Sequence, residues 1–278
     1  MTDKYAVIGN PIAHSKSPLI HAAFAEQTNQ DISYERILAP LDGFEVTVRD
    51  LIAGGYKGVN VTVPFKFDAL KISDDLSQRA LHAGAVNTLI FDTNRIIGDN
   101  TDGIGLVNDL QHNLNTKLDD KRILLLGAGG AARGALLSLL LANPVEIVIA
   151  NRNISKAQEL VGEIGKSDAL KYISIPLRAT SYESLNDQAF DIVINATSTG
   201  LTDTALPIPN TIFATNCLAY DMMYGRETLF MKQARENGAN VYDGLGMLVE
   251  QAAYSFFLWR HANPETQSVI KKIRNLPN

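Results

Sequence analysis

The chain has 278 residues, 46% of them hydrophobic, with 25 Lys and Arg against 30 Asp and Glu and a formal net charge of −5. That length supports two medium domains, each with its own core, and the acidic balance argues against a general nucleic-acid or anionic-membrane surface. A single cysteine, Cys217, excludes an internal disulfide, the five histidines have no metal-binding spacing, and no apolar run reaches membrane-spanning length. The N-terminus carries neither signal nor transit features, so the expectation is a cytoplasmic protein without a metal, with Cys217 a buried, inert thiol.

Tyr5–Ile8 reads as a short strand that breaks at Gly9-Asn10-Pro11. Ser17 before Pro18 reads as an N-cap with proline at the first helical position, which puts the Ser15 and Ser17 hydroxyls beside a helix N-terminus, where a carboxylate can be held. Simple capping by Ser17, with Ser15 a bystander, is the plainer alternative. Ile32–Leu38 reads as a second strand and Phe44–Ala53 as a helix closed by Gly54-Gly55. Val59, Val61 and Val63 then alternate with Asn60 and Thr62, so one face of the next strand is core and the other displays an amide and a hydroxyl. Pro64 ends that strand and delivers Lys66 just past its carboxyl end, where open α/β sheets place ligands. Ala85–Leu89 repeats the pattern with the polar pair Asn87-Thr88, and Gly98-Asp99-Asn100-Thr101-Asp102-Gly103 follows, so three strand ends converge on one polar patch. Asp102 opens a helix to about Asn113, and the early Gly103 and Gly105 point to close approach by a backbone or a ligand.

After a linker at Asn115–Asp120, Ile123–Leu126 is continuously apolar, as a strand buried on both faces is. It runs into Gly127-Ala128-Gly129-Gly130-Ala131-Ala132 and an Ala/Leu-rich helix. Gly127 allows the tight turn, Gly129 leaves no Cβ between backbone and a pyrophosphate, Ala132 lets helix and strand pack closely, and the helix N–H groups face the phosphates. Val145–Ala150 is the next strand and ends at Asn151-Arg152-Asn153, with Lys156 beyond. An acidic residue there would favour NAD; a guanidinium and no carboxylate favour a 2′-phosphate, and so NADP. Further on, Ser155 reads as the N-cap of a helix to Ile164, Ile173–Ile175 and Asp191–Asn195 read as strands, and Cys217–Tyr220 as another before Asp221-Met222-Met223-Tyr224. A helix at Thr228–Asn237 and a strand at Asn240–Tyr242 complete an alternation that predicts a doubly wound parallel sheet. The helix Leu245–Arg260 is apolar around most of its girth, with Gln251 its odd bulky amide, and a final amphipathic helix follows.

These residues together resemble the shikimate dehydrogenase family, from end to end rather than through one motif. The resemblance is carried by Gly9-Asn10-Pro11 with Ser15-Lys16-Ser17-Pro18, Asn60-Val61-Thr62 with Pro64-Phe65-Lys66, Ala85-Val86-Asn87-Thr88 and Asn100-Thr101-Asp102-Gly103. The second half adds Gly127-Ala128-Gly129-Gly130-Ala131, Asn151-Arg152, Asn195-Ala196-Thr197-Ser198, Asp221-Met222-Met223-Tyr224, and Asp243-Gly244-Leu245-Gly246-Met247 through Gln251. The family usually reads Asn-Arg-Thr at the 2′-phosphate loop; here Asn153 is third, with Lys156 where a second Arg is common.

The resemblance implies two α/β domains: a substrate-binding domain over 1–114, completed by the C-terminal helices 245–278, and a Rossmann-type doubly wound NADP domain over 115–244. It implies NADP-linked interconversion of 3-dehydroshikimate and shikimate, a step of aromatic amino-acid biosynthesis. Lys66 and Asp102 would be the catalytic pair, and Ser15, Ser17, Thr62, Asn87, Tyr224 and Gln251, with Asn60 nearby, would hold the substrate. Gly127, Ala128, Gly129, Gly130, Ala131, the loop of Asn151, Arg152, Asn153 and Lys156, Met222 and Gly244 would line the cofactor. The partner expected is a small molecule, not a nucleic acid or a membrane, for a monomer or homodimer. Two rivals share the features: a quinate/shikimate dehydrogenase using NAD, against which Arg152 counts, and a non-catalytic NADP-sensing module, which would have no need of Lys66 and Asp102. A related-fold folate dehydrogenase would lack the Asn-Thr-Asp-Gly turn at this position.

Overall fold

A computed structural model describes residues 2–165, 174–202 and 204–276. The chain forms two compact units, Met1–Gly105 with Leu248–Asn278, and Leu106–Met247.

The first unit begins β1 (Asp3–Gly9), α1 (Ser17–Thr28), β2 (Ile32–Leu38), α2 (Phe44–Ala53), β3 (Tyr56–Val61) and α3 (Lys66–Ile72). It continues β4 (Asp75–Leu76), α4 (Gln78–Ala83), β5 (Thr88–Asp92), β6 (Arg95–Asp99) and α5 (Asp102–Asn108). Its sheet has the order β2-β1-β3-β5-β6-β4. β1 runs parallel to β2 and β3, whereas β5 is antiparallel to both β3 and β6. This mixed order brings the end of β3, the start of β5 and the end of β6 to one edge, and the register aligns Asn60 with Thr88 and Thr88 with Asp99.

Two sequence expectations change here. The strand expected at Ala85–Leu89 begins only at Thr88. And because β3 stops at Val61, Val63 lies outside it and is 67% exposed, not core, while Asn60, expected on an open face, is 6% exposed. The apolar C-terminal helix contributes Ser255 to the Asn60 amide and closes that face.

The second unit opens within α5, at Leu106, and α5 runs on into a π-helical turn, Asp109–Asn113. Then come β7 (Arg122–Leu126), α6 (Gly130–Leu141), β8 (Glu146–Ala150), α7 (Ile154–Ile164), β9 (Leu177–Thr180), β10 (Phe190–Asn195) and α8 (Thr199–Thr202). β11 (Phe213–Asp221), α9 (Leu229–Glu236) and β12 (Asn240–Asp243) follow; α10 (Leu245–Arg260), from Leu248 on, and α11 (Gln267–Arg274) belong to the first unit. The strand expected to start at Ile173 begins outside the described residues; Ser174 and Ile175 are irregular, and the strand runs from Leu177. The sheet is parallel throughout, ordered β9-β8-β7-β10-β11-β12. That is the doubly wound dinucleotide-binding order, with the topological switch between β7 and β10. Both faces are covered: Ile123, Leu125, Ile147 and Ile149 pack in one apolar cluster with α6 and α7, and Leu124, Leu126, Val148 and Ala150 in another with α9. Cys217 lies in the second cluster, and burial pushes its thiol up to about 12. Among the described residues, no helix is long and apolar enough to cross a membrane.

Two stability predictions arise from this packing. In the first unit His21 is fully buried and stacks on Tyr34, ring centroids 4.1 Å apart and 7° from parallel. Burial pushes its imidazole down to about 3, with the Asn60 amide opposing the shift. The unfolded chain titrates near the ordinary value of about 6.5, so below that pH it binds a proton the folded protein refuses, and stability falls with falling pH. The expected slope is about 1.4 kcal/mol per pH unit from about pH 6 towards about pH 3. Urea unfolding of His21→Phe at neutral and mildly acidic pH should show that component removed.

In the second unit, the Tyr220 hydroxyl donates to Asp109 Oδ2 at 2.6 Å, the Met247 N–H donates to Tyr220, and a Cβ on Gly246 would sit 1.9 Å from Asp109 Oδ1. Gly246→Ala forces the buried carboxylate aside and should cost about 1–3 kcal/mol, read as a lower urea midpoint at unchanged slope.

Candidate active site

The sheet edge of the first unit carries most of the predicted substrate residues. Lys66 is the first residue of α3, held there because Pro64 ends the preceding extended segment, and its carbonyl accepts the Val86 N–H at 3.0 Å. Asp102 opens α5. Lys66 Nζ lies 2.5 Å from Asp102 Oδ2, with side chains 28% and 15% exposed, so the pair is reachable yet mostly withdrawn from water. A salt bridge this sheltered is screened less than a surface pair and holds both groups in one geometry.

Asn87 fixes the pair. Its Nδ2 donates to Asp102 Oδ1 at 2.8 Å and to Thr101 Oγ1 at 3.0 Å, while its Oδ1 accepts the Thr101 N–H at 2.9 Å. An N–H can only donate, so that last bond sets which way the amide points. The turn itself is pinned from behind. Asn100 Oδ1 accepts the Asp102 N–H and Asn100 Nδ2 donates to Ala85 O; Asp99 accepts from the Asn100 N–H, Ser77 and a two-pronged Arg79.

Gln251, on α10, brings its Oε1 to 3.4 Å from both Asn87 Nδ2 and Thr101 Oγ1. Four residues on, Ser255 Oγ accepts from Asn60 Nδ2 at 3.0 Å, lies 2.8 Å from Thr88 Oγ1 and donates to the Gln251 carbonyl. Asn60 Oδ1 accepts the Tyr34 hydroxyl at 2.8 Å. Sequence reasoning missed Thr88, Thr101, Ser255 and Tyr34 as partners. The Gln251/Ser255 spacing, two polar residues at i and i+4 of an apolar helix, was a signal for one of them; Tyr34 had none.

The serine loop differs in detail from the capping expected. α1 starts at Ser17, but the N-cap position is Lys16, without a side-chain cap. Ser15 Oγ instead accepts the Ser17 N–H at 3.3 Å and donates to Ser17 Oγ at 3.2 Å, so the two hydroxyls lie together at the helix entrance. Thr62, half-buried just past β3, is anchored by its N–H to Ile8 O at 2.9 Å.

The remaining predicted residues lie in the second unit. Gly127 takes φ +104°, which a side chain would strain, and its N–H donates to Ala150 O. Ala128 is half-buried; Gly129, Gly130 and Ala131 are exposed at the start of α6, and a Cβ on Gly129 or Gly130 would meet nothing within 4 Å. That open, side-chain-free cradle at a helix N-terminus fits a pyrophosphate. In the next loop Asn153, not Ser155, caps α7, its Oδ1 accepting the Ser155 N–H at 3.1 Å, and Asn151 Nδ2 donates to Asn153 O. These bonds occupy the asparagines and leave Arg152 and Lys156 exposed. Burial pushes the Tyr182 phenol up and the charge of Arg152 opposes that rise.

Tyr224 and Met222 follow β11. Asp221, fully buried, accepts from Thr228, Asn195 and the Met223 N–H, and so fixes that loop; burial pushes its carboxyl up against those bonds. Gly244 is glycine because a Cβ there would meet the Met222 carbonyl oxygen at 2.3 Å. Among the described residues, no group of three or more His, Cys, Asp or Glu could hold a metal ion.

Three family descriptions match the chain: the shikimate dehydrogenase substrate binding domain over residues 7–89, shikimate / quinate 5-dehydrogenase over 109–202, and the shikimate 5′-dehydrogenase C-terminal domain over 244–274. A shikimate dehydrogenase (NADP(+)) of Methylobacillus flagellatus is 55% identical over 273 residues, 98% of this chain and 99% of that one. Among solved structures, an Ael1 enzyme from Pseudomonas putida superposes with a TM-score of 0.92 at 47% identity, over 99% of both chains. The shikimate 5-dehydrogenase of Thermus thermophilus, in complex with NADP(H) and shikimate, superposes with a TM-score of 0.85 at 32% identity, over 98% of this chain and 99% of that one. Such agreement along the whole length, together with the three domain matches, identifies the chain as a member of the shikimate dehydrogenase family.

Proposed function

We propose that the protein is an NADP-dependent shikimate dehydrogenase that reduces 3-dehydroshikimate to shikimate reversibly, with Lys66 and Asp102 as its acid–base pair. The observation that carries this reading is the Lys66–Asp102 contact of 2.5 Å, held by Asn87 and facing the polar sheet edge. Reduction places negative charge on the carbonyl oxygen, so a cation that can also give a proton must stand within hydrogen-bond reach. Lys66 serves both needs: it donates a proton to that oxygen as the alcohol forms and takes it back in the oxidative direction. Asp102 holds the ammonium in place and accepts from a substrate hydroxyl. NADPH supplies the hydride, and the open glycine cradle at α6 with Arg152 and Lys156 would bind it. Ser15 and Ser17 would hold the substrate carboxylate, Asn60, Thr62, Asn87, Tyr224 and Gln251 would bind the rest of the substrate, and Met222 and Gly244 would line the cofactor.

The test is product identification: 3-dehydroshikimate and NADPH incubated with the protein should yield shikimate by mass spectrometry. NADPH binding without any product would leave the sensing module instead.

A further inference from the structure

The serine loop has a partner the sequence did not mark. Arg36, on β2, directs both Nε and Nη2 at one acceptor, the Ser15 carbonyl, at 2.9 and 2.5 Å. Its side chain is exposed, and among the described residues no carboxylate pairs with it; the adjacent Glu35 is taken by the Tyr56 hydroxyl. A two-pronged grip on a single carbonyl fixes the guanidinium, because the planar fork has one orientation that satisfies both bonds. The carbonyl oxygen and Oγ of one residue lie within about 5 Å of each other by covalent geometry. A positive charge with no carboxylate partner among the described residues therefore stands against the Ser15 carbonyl, on the residue whose hydroxyl bonds Ser17 Oγ.

Resting on the reading of Ser15 and Ser17 as a carboxylate cradle, we propose that Arg36 is a positioning residue for that cradle and a source of its selectivity for a charged carboxylate. Hydroxyls already donate more strongly to a carboxylate than to an ester, and a cation held against the same loop adds a charge term to that preference which salt screens. The grip on Ser15 orients the hydroxyls, and the charge attracts the anion.

The experiment compares kcat/KM for shikimate and for its neutral methyl ester at low and physiological ionic strength. The proteins are wild type, Arg36→Gln, Arg36→Lys and Lys16→Gln, the last testing the neighbouring cation. Arg36→Gln is expected to lose about tenfold of the preference for acid over ester and to flatten its dependence on salt. Arg36→Lys keeps the charge and should keep the preference, while raising KM for both substrates because the fork is lost. A preference unchanged in Arg36→Gln, an equal loss for acid and ester in that variant, or a preference lost in Lys16→Gln would overturn the assignment while leaving the dehydrogenase reading intact. Failure of the wild type to oxidise shikimate would overturn both.

Discussion

Lys66→Ala is expected to lower turnover of shikimate with NADP+ by about a hundred- to ten-thousand-fold, while KM for shikimate moves only a few-fold. The substitution removes the cation in contact with Asp102, and with it the group assigned to exchange a proton with the reacting oxygen. Binding should survive because the other polar contacts stay in place: Asn87 remains bonded to Thr101 and Asp102, and the Ser15/Ser17 pair lies on a different loop. The fold should survive as well, since Lys66 anchors its surroundings through the backbone carbonyl, which alanine retains. Steady-state kinetics with a circular-dichroism control checks this. A variant that kept most of its turnover would remove Lys66 from the chemistry, and a large rise in KM at unchanged turnover would make it a binding group only.

Arg152→Ala is expected to raise KM for NADP+ by about ten- to a hundredfold and to leave KM for NAD+ within about twofold, because a charged hydrogen-bond partner of a phosphate contributes about 1.5–3 kcal/mol. The loop geometry supports so selective an effect. Asn151 and Asn153 spend their side chains on the loop and the α7 cap, so the fold does not depend on the guanidinium, which is exposed beyond them. Lys156, in the first turn of α7, retains a positive charge in the variant and sets the residual preference. Equal loss with both cofactors would mean that Arg152 supports the loop rather than reading the 2′-phosphate.

Much of the second unit was legible because its signals are local. A run such as Ile123–Leu126 can only be buried on both faces, and a glycine turn followed by an Ala/Leu helix states its own geometry. Boundaries were less legible: Asn153 rather than Ser155 caps α7, since neighbouring residues there offer capping chemistry and the backbone selects one of them. In the first unit the antiparallel entry of β5 was not encoded locally, so Asn87 was assigned to a strand when it stands just before one. The two-residue β4 is too short for any period to show. Val63 continued the apolar alternation but lies past the point where pairing stops, and Asn60 looked like a surface amide because the helix covering it lies nearly two hundred residues later in the chain. The same distance hid what Ser255 bonds to, though its spacing from Gln251 marked the residue itself, and Arg36 was invisible because its partner is a backbone carbonyl, which no side-chain pattern reports.

The most direct measurement is absorbance of reduced nicotinamide with shikimate or quinate and NADP+ or NAD+, in all four combinations. Fast reduction with shikimate and NADP+, and slow or none in the other three, is the expected result. Equal rates with quinate or with NAD+ would contradict the assigned substrate or the role of Arg152, and no reduction in any combination would contradict the catalytic role of the Lys66–Asp102 pair altogether.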